Sequence, residues 1–548
     1  MSIRMSEFPY ENIRDAQKEI LEKLQENWDK YRYFVLEAPT GVGKSAIAKT
    51  IAASNRNAFL ITATKQLQDQ YVVDFPDGGI QSIKGRANYT CAYNDRLNCE
   101  VGPCMVNKDI YKECKGENIC PYYTKRDKAL KANIALTSYA YFLRAMDCAG
   151  FWKSRDILIL DECHLLESQI TQWASVFLSP RELNLKYNIF SDVGFDKFTY
   201  LTAPPEQSGY EANEKWLSTI WDLIVKKRNE LYKDLEGVLN GKKPDELTED
   251  DLDELASGHK DYYDIDKLFK KVNAFFEASD KDGWLIEPEE DGLTISPVNV
   301  GNLFKFYMDE WADKKVIFMS ATILDVAGFC NEIGLPKEET GIIRVNPTFD
   351  PKKSPIVYNP VGAMNYANID NTLPKIVKEV DKILDLHPNE KGIIHTGNYK
   401  IAEFIHEQAK SNRVIMKEEE ETNEQLMYRH MNSKKPTVLV SPSLTTGADL
   451  KDELSRFQII VKLPWVSLAD KRVKKKIEQS DTWYAAEMFR SFVQACGRST
   501  RSKDDWSTTY VFDNSFYKWI YKYRHWFPKQ FHDRIIWKKD KYFKSKRG

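Results

Sequence analysis

No apolar run in the sequence approaches the roughly 20 residues that span a bilayer. With 42% hydrophobic and 29% charged residues and a mean hydropathy of −0.53, the chain reads as soluble and globular. Neither charge is in real excess: 79 Lys and Arg stand against 81 Asp and Glu, a formal net charge of −2. No global field pulls it toward a polyanion, so nucleic-acid binding has to rest on local basic stretches. The stretch Met1 to Tyr10 lacks the apolar core of a secretory signal, which points to the cytoplasm, and to the nucleoid in a prokaryote. The nine cysteines contain no pair of C-x-x-C knuckles, which argues against a structural zinc ribbon. No separate acidic or His-rich constellation and no exonuclease-like extension supports a nuclease. At 548 residues there is room for about three to four domains.

What is present begins with the apolar run Tyr33-Phe34-Val35-Leu36, read as a buried strand. It leads through Glu37 into Ala38-Pro39-Thr40-Gly41-Val42-Gly43-Lys44-Ser45 and then into a helical pattern from Ala46 to Ala53. Strand, Gly-bearing loop and helix make a phosphate cradle: the glycines turn backbone N–H groups toward an anion, Lys44 supplies a cation, and Ser45 can sit on Mg²⁺. Ala38 occupies the place of the first Gly in the strict G-x-x-x-x-G-K-[ST] pattern. Upstream, Ser6 to Trp28 is expected to be an amphipathic helix with Arg14 and Gln17 one turn apart.

A second apolar run, Asp156 to Leu160, ends in Asp161-Glu162-Cys163-His164. A buried parallel strand delivers such carboxylates where α/β sheets bind ligands. Asp161 is expected to hold Mg²⁺ and Glu162 to orient and deprotonate the attacking water. Alone, an Asp-Glu pair after a strand could be a helix cap; with the phosphate loop it becomes the second half of an ATPase site.

Five cysteines, Cys91, Cys99, Cys104, Cys114 and Cys120, fall within thirty residues in a polar segment with little apolar material of its own. In a cytosolic chain this crowding suggests a metal rather than disulfides, and four thiolates from a loose loop suit an iron–sulfur cluster. Cys148, Cys163, Cys330 and Cys496 read as small core residues. Between Thr202 and about Asp280 the text turns helical, with Trp216, Ile220, Leu223 and Ile224 on one face and Ile265, Phe269, Val272 and Phe276 on another. From Pro347 onward strands and helices alternate again, predicting a second doubly wound domain. There Arg498 and Arg501, three apart, can project to one side as arginine fingers, with Gln494 one turn earlier. The basic, aromatic stretch Trp537 to Arg547 suits single-strand binding or a solvated tail.

In their order and separation these motifs resemble the XPD/DinG-type superfamily 2 helicases that carry an iron–sulfur cluster. The carriers are residues 38–45, Lys84-Gly85-Arg86-Ala87-Asn88-Tyr89-Thr90-Cys91, Cys120-Pro121-Tyr122-Tyr123 and the box Asp161 to His164, followed by Ser320-Ala321-Thr322 and Gln494 to Arg501. The resemblance implies an α/β fold with two RecA-like doubly wound parallel-sheet motor domains. The first takes 1–86, 124–202 and 281–345, and the second takes 346–548. A cluster domain, 87–123, and a helical arch, 203–280, are inserted. It further implies adenine recognition by Gln17 and a role in ATP binding for Gly447 and Asp449, while His395, Thr396 and Asn398 resemble motif IV. The family uses four cluster ligands; Cys91, Cys114 and Cys120 match, and the remaining one is Cys99 or Cys104, with Cys104 chosen here. The expected cofactors are ATP, Mg²⁺ and a 4Fe-4S cluster. The expected partners are single-stranded DNA and duplex junctions, engaged by a monomer moving 5′ to 3′. An ATPase that translocates without separating strands, or a metal-sensing binding protein, are the rival readings.

Overall fold

The computed structural model describes residues 2–39, 41–55, 57–76, 79–105, 108–116, 119–146, 152–191, 193, 210–238, 249–278, 283–346, 350–442, 452–498 and 505–537. Five strands come first: β1 (Tyr33–Glu37), β2 (Ala58–Thr62), β3 (Ile80–Ser82), β4 (Ile134–Ser138) and β5 (Arg155–Asp161). Three more, β6 (Val176–Leu178), β7 (Trp284–Glu289) and β8 (Gly292–Pro297), form a separate antiparallel sheet in the order β6-β8-β7. The chain then returns with β9 (Ala312–Ser320) and β10 (Thr340–Arg344), completing a seven-stranded sheet ordered β10-β1-β9-β5-β2-β4-β3.

Every pairing in that sheet is parallel, and its inner strands are continuous apolar runs because helices cover both faces. Alternate side chains of one strand feed two cores: Phe34 and Leu36 of β1 join the cluster around Leu21, Ile47 and Leu60, while Tyr33 and Val35 join that around Phe142, Leu166 and Phe318. That is the period of two expected of a strand buried on both sides.

The second lobe repeats the plan. Strands β11 (Ile356–Gly362), β12 (Gly392–His395), β13 (Val414–Ile415), β14 (Val438–Ser441), β15 (Phe457–Ile460), β16 (Thr508–Asp513) and β17 (Ile535–Trp537) form a seven-stranded sheet. Its order is β13-β14-β12-β15-β16-β11-β17, again parallel throughout. The doubly wound second domain expected from the alternating pattern is present, and with the first it makes the two RecA-like lobes that the resemblance implies.

Two helices of 29 residues each, Tyr210–Val238 and Glu249–Glu277, form the helical insertion. Trp216, Ile220, Ile224, Ile265 and Val272 pack together as the spacing predicts, and the same core takes in Leu178, Trp284, Leu293 and Ile295 of the antiparallel sheet. Residues on both sides of the helical stretch thus build its foundation.

The N-terminal helix is shorter than its apolar pattern suggests, running Asp15–Asn27 after an isolated turn at Met5–Glu7. Pro9 has no N–H to give and biases Phe8 away from helix. The start is then set by a capping arrangement in which the Arg14 N–H donates to Gln17 Oε1 at 3.0 Å.

Candidate functional site

Register brings the site together. β9 lies between β1 and β5, with Glu37 opposite Ser320 and Asp161 opposite Met319. The phosphate loop, the Ser320-Ala321-Thr322 turn and the Asp161-Glu162 pair consequently leave the same edge of the sheet, the edge where α/β folds bind ligands.

The loop after β1 adopts the conformation a cradle needs. Gly41 and Gly43 have φ of 83° and 91°, left-handed values that cost an L side chain about 1–2 kcal/mol. A Cβ on Gly43 would lie 2.4 Å from Gln17 Nε2, so the glycine also permits close packing. Ala38 and Val42 anchor the loop in the core, Pro39 is partly exposed, and Lys44 Nζ donates to the Ala38 carbonyl at 3.4 Å. The Arg14 guanidinium donates to the Gly41 carbonyl at 2.8 Å. Gln17, expected to read adenine, is buried, and its Nε2 faces the Gly43 carbonyl at 3.5 Å. In this arrangement its amide supports the loop. Thr40 lies outside the described residues.

At the end of β5, Asp161 is buried and Glu162 takes the left-handed conformation, φ 52° and ψ 44°. A non-glycine residue held there stores strain, a frequent mark of functional positions. Burial and the adjacent Glu162 carboxylate push Asp161 up to about 6, with Lys44 opposing. Burial would raise Glu162 as well, but Lys44 and His164 outweigh it and hold that group down at about 2. Serine hydroxyl and carboxylates beside a phosphate loop form an all-oxygen donor set suited to a hard cation.

A hydrogen-bonded chain crosses between the lobes. The Gln494 amide, on the second-lobe helix Asp481–Arg498, donates to His164 Nε2 at 2.6 Å and reaches Thr322 Oγ1 at 3.3 Å. With Nε2 accepting, the His164 proton sits on Nδ1, which faces Ser320 Oγ at 2.7 Å and Glu162 Oε2 at 3.3 Å. Ser320 Oγ in turn accepts from the Thr322 N–H at 3.1 Å. Lys44, Asp161, Glu162 and Gln494 are thereby gathered at one interface. Arg498 closes its helix with a side chain outside the described set, and Arg501, Gly447 and Asp449 lie outside the described residues altogether. Of the motif IV candidates, His395 and Thr396 are buried, and Asn398 caps the helix Tyr399–Gln408 by accepting from the Ile401 N–H at 2.9 Å.

Sequence reasoning missed several residues. The Tyr71 hydroxyl donates to Asp161 Oδ2 at 2.9 Å, and the Tyr139 hydroxyl donates to the Asp161 carbonyl at 3.0 Å. Arg490, fully buried, directs Nε to the Ile323 carbonyl at 3.4 Å across the interface. Nothing in spacing separates these from ordinary core aromatics and surface arginines. A knot of charge beside them joins the lobes: Lys476 lies 2.8 Å from Glu167 and contacts Glu332, and Arg472 also contacts Glu167.

The five cysteines of the polar segment are all buried, and none is in a disulfide. The Cys91 and Cys99 N–H groups bond to the Leu97 and Tyr89 carbonyls at 2.9 and 2.8 Å, forming a miniature hairpin. Cys99 Sγ stands 3.7 Å from Cys120 Sγ and 3.3 Å from the Thr90 carbonyl. A Cβ on Gly102 would lie 3.1 Å from Cys91 Sγ and 3.9 Å from Cys104 Sγ. The Cys99 thiol above all, with the Tyr122 and Tyr123 N–H groups and Arg86, holds Cys120 down at about 6, and contact with Cys114 lowers Cys104 likewise. Among the described residues no three His, Cys, Asp or Glu groups stand in metal-holding geometry; the thiols pair with one another instead. Cys163 and Cys496 are buried and Cys330 is partly so, whereas Cys148 lies outside the described residues.

Comparison with known proteins agrees with this arrangement. The DEAD_2 family model matches residues 44–183 and the helicase C-terminal domain model matches residues 382–534. The chain is 24% identical over 341 residues to a Methanocaldococcus jannaschii protein named "Probable ATP-dependent helicase MJ0942", a match covering 54% of this chain and only half of that relative's length. It is 23% identical over 538 residues to the ATP-dependent DNA helicase YoaA of Haemophilus influenzae, covering 81% of this chain and 80% of the relative. A solved XPD helicase superposes with a TM-score of 0.64 at 16% identity, over 96% of this chain and all of that one. Two matched motor-domain models in chain order, relatives of the YoaA kind and an XPD-like fold place the chain in the XPD/DinG-type group of superfamily 2 helicases.

Proposed function

We propose that the protein is an ATP-dependent DNA helicase that moves along single-stranded DNA and opens duplexes, hydrolysing Mg-ATP between its two lobes. The observation that carries this reading is the chain from Gln494 through His164 to Glu162 and Ser320, because it ties the water-activating carboxylate of one lobe to a helix of the other. ATP would rest on the loop of residues 38–45, with Lys44 against the β- and γ-phosphates. Ser45 and Asp161 would hold Mg²⁺, which when bound spreads the charge of the transferring phosphoryl group. Glu162, kept ionised, takes a proton from the attacking water. Arg498 and Arg501 would meet the phosphoryl charge from the second lobe, and Gly447 and Asp449 would complete that side. Closure on nucleotide and reopening after hydrolysis then advance one lobe relative to the other.

The segment 87–123 would carry a 4Fe-4S cluster on Cys91, Cys104, Cys114 and Cys120. Five buried thiols within thirty residues suit that donor set. Cys104 is taken as the remaining ligand, with Cys99, whose Sγ is 3.7 Å from Cys120 Sγ, standing beside the set.

Anaerobically purified protein with ATP and Mg²⁺ tests the reading on duplexes bearing either a 5′ or a 3′ single-stranded tail. Opening of the 5′-tailed duplex alone is expected. Opening only the other would reverse the polarity, and hydrolysis stimulated by single strands without any opening would make the protein a translocase.

A further inference from the structure

Both oxygens of the Asp161 carboxylate are engaged by the protein. Oδ1 accepts the Glu162 N–H at 2.9 Å and Oδ2 accepts the Tyr71 hydroxyl at 2.9 Å. The Ser45 side chain acts on the same phenol, which therefore stands close to both groups read as cation holders. Tyr71 projects from the helix Lys65–Asp74, is 2% exposed, and packs in the core that holds Leu21, Ile47 and Leu60, with its ring centroid 6.0 Å from that of Phe75. A ring so confined cannot swing away, and its oxygen is a fixed point between the phosphate-loop helix and the end of β5.

A carboxylate offers about four acceptor directions. Each one taken by a protein donor selects which remain for a cation or its water shell. We propose that Tyr71 is a positioning residue for cation-assisted nucleotide binding: its hydroxyl holds the Asp161 carboxylate in one orientation beside Ser45, so that the divalent ion meets a preformed acceptor. The proposal rests on the Mg-nucleotide reading of the site. Partners of this outer kind typically change metal affinity by about 10- to 100-fold when removed.

Tyr139 supplies a matched control. It too is a buried phenol bonded to Asp161, but through the main-chain carbonyl, away from the carboxylate. Equilibrium titration of a fluorescent N-methylanthraniloyl-ADP probe, with EDTA or with graded MgCl₂, reads the effect as binding without turnover. In the unaltered protein Mg²⁺ should tighten the probe; no gain at all would overturn the Mg-nucleotide reading itself. In Tyr71→Phe, affinity in EDTA should be unchanged while the Mg²⁺ concentration giving half the gain rises about 10- to 100-fold. Tyr139→Phe should leave that concentration where it was. The ratio of the two affinities in one preparation does not depend on the fraction folded. In an Asp161→Asn background the Tyr71 change should add nothing, as for two residues acting through one interaction. Tyr71→Phe with the Mg²⁺ dependence of the unaltered protein, or a Tyr139→Phe shift of equal size, would overturn the proposal.

Discussion

The two lobes share one architecture and place different side chains at their strand ends. Each is a seven-stranded parallel sheet, and in each an interior strand runs into a glycine with positive φ and then a helix. After β1 these are Gly41 and Gly43; after β12 it is Gly397, with φ 81°. In the first lobe the turn is followed by Lys44 and Ser45, with carboxylates arriving from β5. In the second, Asn398 closes the turn by accepting from the Ile401 N–H, which occupies a donor that an anion would need. The same strand-turn-helix carries a lysine and a serine in one place and is a capped corner in the other. Fold supplies the position, and the side chains at the strand ends decide what happens there.

Four experiments test how far this division holds. The largest effect is expected where the lobes meet. Lys476→Met would leave Glu332 without the Lys476 cation and Glu167 with Arg472 alone. Breaking such a buried pairing costs about 3–5 kcal/mol. A pronounced fall in Tm with earlier proteolysis between the lobes is expected; an unchanged melting profile would mean that the ionic knot does not hold the lobes together.

Lys44→Ala comes next. Removing a fixed cation from the site of phosphoryl charge should lower kcat for ATP hydrolysis about 10²- to 10³-fold, with circular dichroism unchanged. Hydrolysis near the original rate would break the assignment of the chemistry to the first lobe.

The paired glycines sharpen the comparison further. Gly43→Ala and Gly397→Ala should each cost about 1–2 kcal/mol of stability from the left-handed backbone. Only the first should also weaken nucleotide binding, by about tenfold or more, since a Cβ at Gly397 meets nothing closer than Lys462 at 3.6 Å whereas one at Gly43 strikes Gln17. Equal losses of nucleotide affinity would show that both turns bind it.

The smallest effect is a pH dependence of the second lobe. His387 lies flat on Phe457 with ring centroids 4.4 Å apart, and His430 is buried with its ring nitrogens bonded to the Leu454 carbonyl and the Thr437 hydroxyl at 2.9 Å each. Burial lowers both from the ordinary histidine value of 6.5. Below 6.5 the unfolded chain therefore takes up protons that the folded lobe refuses, so their contribution is present above that pH and lost as the solution is acidified. Denaturant midpoints from pH 7.5 to 5.5 should decline, and His430→Asn should flatten the slope; a midpoint that rises on acidification would contradict this.

The parts of the site that were legible in the sequence are those whose chemistry and local geometry coincide. The run Tyr33 to Ser45 announces strand, turn and helix by itself, because glycine, lysine and serine at those spacings serve a backbone conformation as well as a ligand. Asp161 and Glu162 were legible for the same reason, sitting where an apolar strand stops. The N-terminal helix was drawn too long because apolar periodicity persists across Pro9, where backbone hydrogen bonding cannot. Tyr71 was illegible because its role comes from a contact with Asp161, ninety residues away in sequence, and an aromatic on the inner face of a helix looks like any core residue.

The sequence by itself determined the two sheets, the order of the motifs along the chain and the crowding of five cysteines, since hydrophobic period, turn residues and composition act over short range. Only the tertiary structure decided that β9 would lie between β1 and β5, that Gln494 would meet His164, that Gln17 would support the loop, and that Tyr71 would hold the Asp161 carboxylate. These are contacts between distant segments, selected by the packing of whole sheets and helices. No local pattern of residues encodes which distant neighbour a side chain will find.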